Sequence, residues 1–247
     1  MQKIIKRFIS TLNQNFISSL KISQKYLSLF QKLMKKRMRE LITLLLILII
    51  SFASCSKKSV DPQYLQEIEN YRKQIDSTFR YSPDSPFKRD TSVKFTQLKY
   101  FDANPDFVFK SKLYRYALPE TVIVLGTKGE KRTQIKYGYF QFTYKGKTYK
   151  INVYKYPESE IKNGKEHLRN YLAVWFRDLT TGEETYEVGR YLDVEEESHD
   201  KDFLYTLDFN KAYNPYCAYT PVYSCAIPRD EDFINLRIEA GEKKYKK

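Results

Sequence analysis

The residues between Gly138 and Val153 constrain the fold more than any other stretch of this chain. Phe140, Phe142 and Tyr144 recur at every second position, Lys145-Gly146 follows, and Thr148-Tyr149-Lys150-Ile151-Asn152-Val153 alternates back. A period of two places successive side chains on opposite faces of a strand, and a Gly-containing dipeptide between two such runs closes a β-hairpin. Shorter runs extend the pattern. Thr121–Leu125 is β-rich, and Tyr171–Phe176 is apolar on both faces, as a central strand is. Thr180-Thr181-Gly182 turns it and Thr185–Val194 returns, while Phe203–Phe209 and Phe233–Ile238 complete about seven strands. One segment keeps helical spacing. Asp61-Pro62 supplies an N-cap acceptor and a first-turn proline. Tyr64, Ile68, Tyr71, Ile75 and Phe79 then fall on one face, until Ser82-Pro83-Asp84-Ser85-Pro86 breaks the pattern. The expectation is a mainly β (α+β) domain, an antiparallel sandwich or barrel with one N-terminal amphipathic helix.

Charge belongs largely to the N-terminus. The chain of 247 residues carries a formal +13, but residues 1–54 hold ten Lys/Arg against Glu40 alone, leaving +4 from Cys55 onward. A basic nucleic-acid-binding domain is therefore excluded. With 22 Tyr, 16 Phe and an apolar fraction of 42%, residues 61–247 are expected to form a single domain with a real core.

Leu41–Ala53 is an apolar run of 13 residues, interrupted by Thr43 and Ser51 only. Crossing a bilayer takes about 20 such residues, whereas a secretory signal core takes about 7–15 with basic residues before and small ones after. Lys35, Lys36, Arg37 and Arg39 precede the run, and Ala53 and Ser54 follow it. Phe52-Ala53-Ser54-Cys55 resembles a bacterial lipobox, with Phe52 in place of the usual Leu; the resemblance implies lipidation of Cys55. Residues 1–54 are thus read as a signal peptide that starts at Met34 or Met38, residues 1–33 being an upstream over-extension, and 55–60 as a tether. The alternatives are an ordinary signal peptide cut near Ala53 and a genuine long basic n-region. Ser56-Lys57-Lys58-Ser59 contains no acidic run. By resemblance to lipoprotein sorting rules, this implies an outer-membrane anchor facing the periplasm.

The expected chemistry is sparse. No phosphate-binding glycine loop, nucleophile elbow or zinc motif is present, and His167 and His199 are the two histidines. The acidic run Glu195–Asp202 does not follow calcium-loop spacing and reads as a solvated turn; no cofactor or metal is expected. Cys217 and Cys225 are read as a disulfide in an exported chain, with free buried thiols or a reactive or metal-binding cysteine as alternatives. The segment Leu207–Cys225 is the densest in Tyr, Asn, Asp and Pro. It is either an ordered loop sealing the sheet or a pocket wall where tyrosines offer apolar faces and hydroxyls. Arg190 and Asp193 could face it, as a buried ion-pair network with Asp208 or as an anion anchor.

These same residues carry a resemblance. Val174-Trp175-Phe176-Arg177-Asp178, Thr181–Tyr186, Gly189–Asp193, Leu207–Tyr219, Tyr223-Ser224-Cys225 and Ala240-Gly241-Glu242-Lys243 are similar to the DUF1684 domain of uncharacterised bacterial and archaeal proteins. Glu187-Val188 and Ala226–Asp232 depart from the family's pattern. The resemblance implies a compact β-rich domain, often on a lipoprotein anchor, and no activity.

Two functional expectations follow. One is a membrane-anchored binding or scaffold domain that takes a small molecule or envelope component through Arg190, Asp193, Asn210, Tyr213 and Asn214. The other is an envelope hydrolase or transferase in which Asp193, Asp208 or Glu231 acts as acid or base and Arg177 or Arg190 holds an anion.

Overall fold

The computed structural model describes residues 32–43, 61–162 and 164–245. The chain divides after Ser59. Residues 32–43 form an exposed helix, α1, and all that follows concerns the second unit. Cys55, the Phe52-Ala53-Ser54 that precedes it and most of the apolar run lie outside the described residues. Among the described residues, no helix is long and apolar enough to cross a membrane.

Helix α2 is Pro62–Tyr81. The Asp61 carboxylate accepts the Gln63 N–H at 2.9 Å, and Pro62 opens the first turn, where its missing N–H costs nothing. Ile68 and Phe79 are buried, and Tyr64, Tyr71 and Ile75 half-buried, so the periodic stripe is the packing face. Ser82 ends the helix by returning its N–H to the Thr78 carbonyl. A short α3, Pro86–Arg89, follows, capped by Ser85.

Among the described residues, eight strands form three sheets. β2 (Tyr114–Leu125), β3 (Lys131–Tyr144) and β4 (Lys147–Lys155) make an antiparallel meander. β1 (Val108–Ser111) pairs antiparallel with β7 (Tyr205–Asp208). β5 (Trp175–Asp178) lies between β6 (Arg190–Tyr191) and β8 (Phe233–Ile234). The β3–β4 turn has Lys145 at φ 47° and Gly146 at φ 76°, the paired left-handed positions of a two-residue turn whose twist matches the strands.

Phe140 and Phe142 of β3 and Ile151 and Val153 of β4 face a core shared with Leu172, Val174, Phe176, Leu192, Leu207 and Phe209. Each such side chain contributes about 1.5–3 kcal/mol on burial. Tyr154, next along β4, turns to the opposite face, where it stacks on Trp175 at 4.7 Å beside Val122, Val124 and Ala226. A third cluster joins α2 to the rest through Phe79, Phe87, Leu98, Tyr219 and Tyr245.

The β-rich, largely antiparallel class agrees with the sequence reading; the detail differs. None of the three sheets closes into a barrel, and β8 pairs parallel with β5. Residues 172–176 are all buried, as a central strand requires, yet the ladder starts at Trp175 and Ala173 makes only an isolated bridge to Tyr154. The expected return strand Thr185–Val194 shrinks to Arg190–Tyr191. Asp178, Thr180 and Thr181 spend their side chains on one another, with Thr180 Oγ1 donating to Asp178 Oδ1 at 2.7 Å, and such local bonds compete with a ladder. Phe233–Ile238 shrinks likewise to Phe233–Ile234. β1 and the first half of β2 were not expected: Pro119 interrupts the alternation, and the β2–β3 register shifts between Arg115 and Glu120.

Candidate functional site

The segment after β7 is built as a rigid wall. Asp208 accepts the Asn210 N–H at 3.1 Å, opening a single 3-10 turn, Phe209–Lys211. The fully buried Asn210 exchanges two hydrogen bonds with the Asn104 backbone, at 2.7 and 2.8 Å. Tyr64 of α2 donates to Asp208 at 2.9 Å, tying the helix to the same turn. Tyr213 then pairs backbone-to-backbone with Tyr191, at 2.9 and 3.0 Å. Pro215 and the 3-10 turn Tyr216–Ala218 carry the chain back toward α2.

Between this wall and α2 lies a cavity of about 430 Å³. Tyr71, Ile75 and Phe79 of α2 line one part; Tyr100, Tyr191, Tyr213, Tyr216, Tyr219 and Tyr223 supply most of the rest. The charged side chains in the lining are Asp193, Lys211 and Glu242. Asp193 is exposed and accepts hydrogen bonds from Tyr213 at 2.9 Å and Tyr171 at 3.3 Å. Glu242 is 1% exposed. Its carboxylate accepts the Asn214 backbone N–H at 3.1 Å and side-chain N–H at 2.9 Å, and the Tyr219 hydroxyl lies 2.8 and 2.7 Å from its two oxygens. Burial raises its pKa to about 7, against these donors and the more distant Arg190 charge. Gly241 makes the approach possible: at φ 78°, a Cβ there would sit 2.6 Å from the carbonyl oxygens of both Phe209 and Ala212.

The tyrosine hydroxyls register the carboxylates. Tyr71 is pushed up to about 12 by burial first, then by the charges of Asp193, Glu242 and Asp208. Tyr100, Tyr213 and Tyr219 are raised as well, by burial and then by Glu242, by Tyr171 with Asp193, and by Glu242 respectively.

The sequence candidates separate into three groups. Asp193 and Tyr213 line the cavity, and Asn214 stands behind it as a donor to Glu242. Asp208 and Asn210 are the staples of the wall. Arg190 is neither paired with Asp193 or Asp208 nor open to a ligand: it is 1% exposed, and its guanidinium donates to Asp178 at 3.3 Å and to the carbonyls of Ile238, at 2.9 Å, and Ala240. Arg177 and Glu231 lie elsewhere, Arg177 on Asp230 at 2.8 Å and Glu231 on Lys136 at 2.6 Å, so the expected carboxylate–arginine grouping is not assembled.

The expected Cys217–Cys225 disulfide is also absent: both are free thiols. They are neighbours nonetheless, with the Cys217 N–H donating to Cys225 Sγ at 3.2 Å, and Cys225 lines the cavity. Hydrogen bonds from Cys225 and Tyr186 lower the Cys217 thiol to about 7. In the acidic run, Glu197 is held by Arg115 at 2.9 Å, by Tyr137 at 2.6 Å and by Lys155, and Glu195 by Thr206, while His167 and His199 are exposed. Glu242, Asp178 and Asp232 were missed by sequence reasoning. The last is buried, and it holds Asn152 and Tyr154 at 2.8 Å each, with Trp175 Nε1 at 3.2 Å.

Comparison with known proteins agrees with this architecture. The solution NMR structure of the uncharacterized protein from gene locus rrnAC0354 of Haloarcula marismortui is similar, with a TM-score of 0.52 and 27% identity over 73% of this chain and 94% of that one. No curated protein matches the chain. Residues 93–243 match the family described as "Protein of unknown function (DUF1684)". The match takes in the eight strands of the described residues, the wall and Glu242, and begins after α2, so the helix that lines the cavity lies N-terminal to it. On this match, the chain belongs to the DUF1684 family.

Proposed function

We propose that this domain binds a small ligand or envelope component in the tyrosine-lined cavity, and that a lipid on Cys55 anchors it to the outer membrane, facing the periplasm. The observation that carries the binding reading is the cavity itself. About 430 Å³ of space with aromatic walls and two carboxylates falls within the usual range for small-molecule sites, about 300–1,000 Å³. The anchor reading rests on the basic–apolar–small layout before Cys55 and on the lipobox resemblance. Each buried acyl methylene contributes about 0.8 kcal/mol, so several chains on one cysteine hold firmly.

The binding reading predicts that native mass spectrometry of the detergent-purified chain detects a retained small molecule. Ile75→Trp, which places an indole in the cavity, should lose it. A parent spectrum with no bound mass, or a variant that keeps the mass, contradicts the cavity as the site. A second reading, an envelope hydrolase or transferase, is favoured by one feature. Asp193 and Glu242 line the same cavity in different environments, one exposed and one buried with a raised pKa, the separation an acid–base pair needs. Conversion of the retained molecule on incubation would select it. For the anchor, cells fed a radiolabelled fatty acid should label the parent chain and leave Cys55→Ala unlabelled. A labelled Cys55→Ala ends the anchor reading.

A further inference from the structure

We propose that the cavity selects a positively charged ligand, an organic ammonium group, for which Glu242 is the counter-charge and the tyrosines form the cage. The inference rests on the cavity being the binding site. Its first support is a missing partner. Glu242 is 1% exposed, and every group that hydrogen-bonds to it, the Tyr219 hydroxyl and the two Asn214 N–H groups, is neutral. Among the described residues it makes no ion pair. Arg190 acts on it only through space and forms no ion pair with it, its hydrogen bonds going to Asp178, Thr180 and two carbonyls. Buried carboxylates are ordinarily paired or neutral, and a cation in the cavity would supply the pair.

The second support is the wall. A ring face attracts a cation through its quadrupole, more strongly where water is excluded. Three rings of the lining already carry one: Arg72 lies 4.6 Å from the Tyr100 centroid, Arg89 5.5 Å from Tyr223 and Lys211 5.6 Å from Tyr71. Lys211 is the cationic side chain in the lining. It is half exposed and 3.9 Å from Asp208, so its charge is already met at the rim. An anion entering the cavity would instead meet Asp193 and Glu242, whose charges already discourage ionisation of Tyr71. A neutral ligand would fill the space and leave Glu242 unpaired.

The test compares choline with its uncharged carbon isostere, in which a tert-butyl group replaces the trimethylammonium. Both are titrated into the detergent-purified full chain by calorimetry at about pH 8, where Glu242 is ionised. Choline should bind at least about tenfold more tightly, a difference of about 1.4 kcal/mol. Asp193→Asn, which removes the charge and keeps an amide oxygen to accept from Tyr213 and Tyr171, should weaken choline several-fold and leave the isostere unaffected. Glu242→Gln should abolish the discrimination. Lowering the pH to about 5 should weaken choline alone, because Glu242 then takes up a proton. Equal binding of the two probes overturns the charge assignment and leaves the cavity as a site. Binding of neither overturns the charge assignment, and the retained-mass experiment then decides the cavity separately.

Discussion

Arg190→Ala will destabilise the folded domain by about 3–5 kcal/mol, far more than it could affect any ligand. The guanidinium is enclosed, lying 5.2 Å from the Phe176 ring centroid, and it reaches Asp178 Oδ2 at 3.3 Å, Thr180 Oγ1 at 3.4 Å and the Ile238 carbonyl at 2.9 Å. Asp178 is as deeply buried and also accepts the Ile238 N–H at 2.8 Å. Truncating the arginine leaves a buried carboxylate without its charge partner and two carbonyls without donors, and each such loss costs more than the bond itself contributed. The damage falls on residues 238–240, which lead into Gly241 and Glu242 at the cavity. For a domain of this size each kcal/mol moves the melting temperature by roughly 2–4 °C, so a fall of roughly 6–20 °C is expected. Arg177→Ala, which removes a pair whose carboxylate, Asp230, is fully exposed, should cost less than about 1 kcal/mol. Urea unfolding of the two variants checks the contrast. An Arg190→Ala protein as stable as its parent would show that the arginine is not a structural element.

The difference between those two arginines marks how far the sequence can be read. Local features were legible. The β3–β4 hairpin follows from alternation plus a dipeptide that accepts φ > 0, and α2 from an Asp-Pro start and a five-residue stripe. Both are fixed by neighbours in the chain. Asp193 and Tyr213, both expected near one another, do line one cavity: Tyr213 belongs to the Tyr-Asn-Pro segment that makes its own turns, and Asp193 follows the strand whose Tyr191 pairs with Tyr213. Glu242 was not legible: it is followed by lysines near the C-terminus and carries no local pattern of its own, and it is brought inward by the bridge to Tyr100, the Gly241 turn and its N–H bond to the Ala212 carbonyl. Arg190 was legible as a candidate for a buried ion pair, but the partners expected for it, Asp193 and Asp208, are not the one it takes. Asp193 is closer in sequence, and Asp178 is selected by the turn through Gly189, at φ 123°, packed against the Phe176 carbonyl. Spacing brought Cys217 and Cys225 together correctly, but spacing carries no information on whether the sulfurs are bonded.

Glu242 gives the domain a stability that falls as pH rises. Its carboxyl has an ordinary value of 4.5 in the unfolded chain and about 7 when folded, the shift being caused by burial. Below about pH 4.5 both states hold the proton and the residue contributes no difference. From there upward the unfolded chain releases it while the folded chain keeps it to about pH 7, so the folded state loses ground across that window and the loss is complete above it. The full penalty is about 3 kcal/mol. The groups facing the carboxyl are Tyr219 and Asn214, which donate to it, with Arg190, Tyr100 and Tyr71 within electrostatic range. The tyrosines stay neutral throughout and Arg190 stays charged, so none of these alters the sign. Cys217, lowered to about 7, and the raised Asp232 titrate on their own account and belong equally to parent and variant. The measurement is therefore a difference: urea midpoints for the parent and Glu242→Gln between about pH 5 and 8. Across that range the parent should lose about 2.5 kcal/mol relative to the variant as pH rises, with the slope concentrated below pH 7. Parallel curves would mean that Glu242 does not hold its proton in the fold. A cation bound in the cavity should flatten the parent's slope, since pairing the carboxylate removes the cause of the shift.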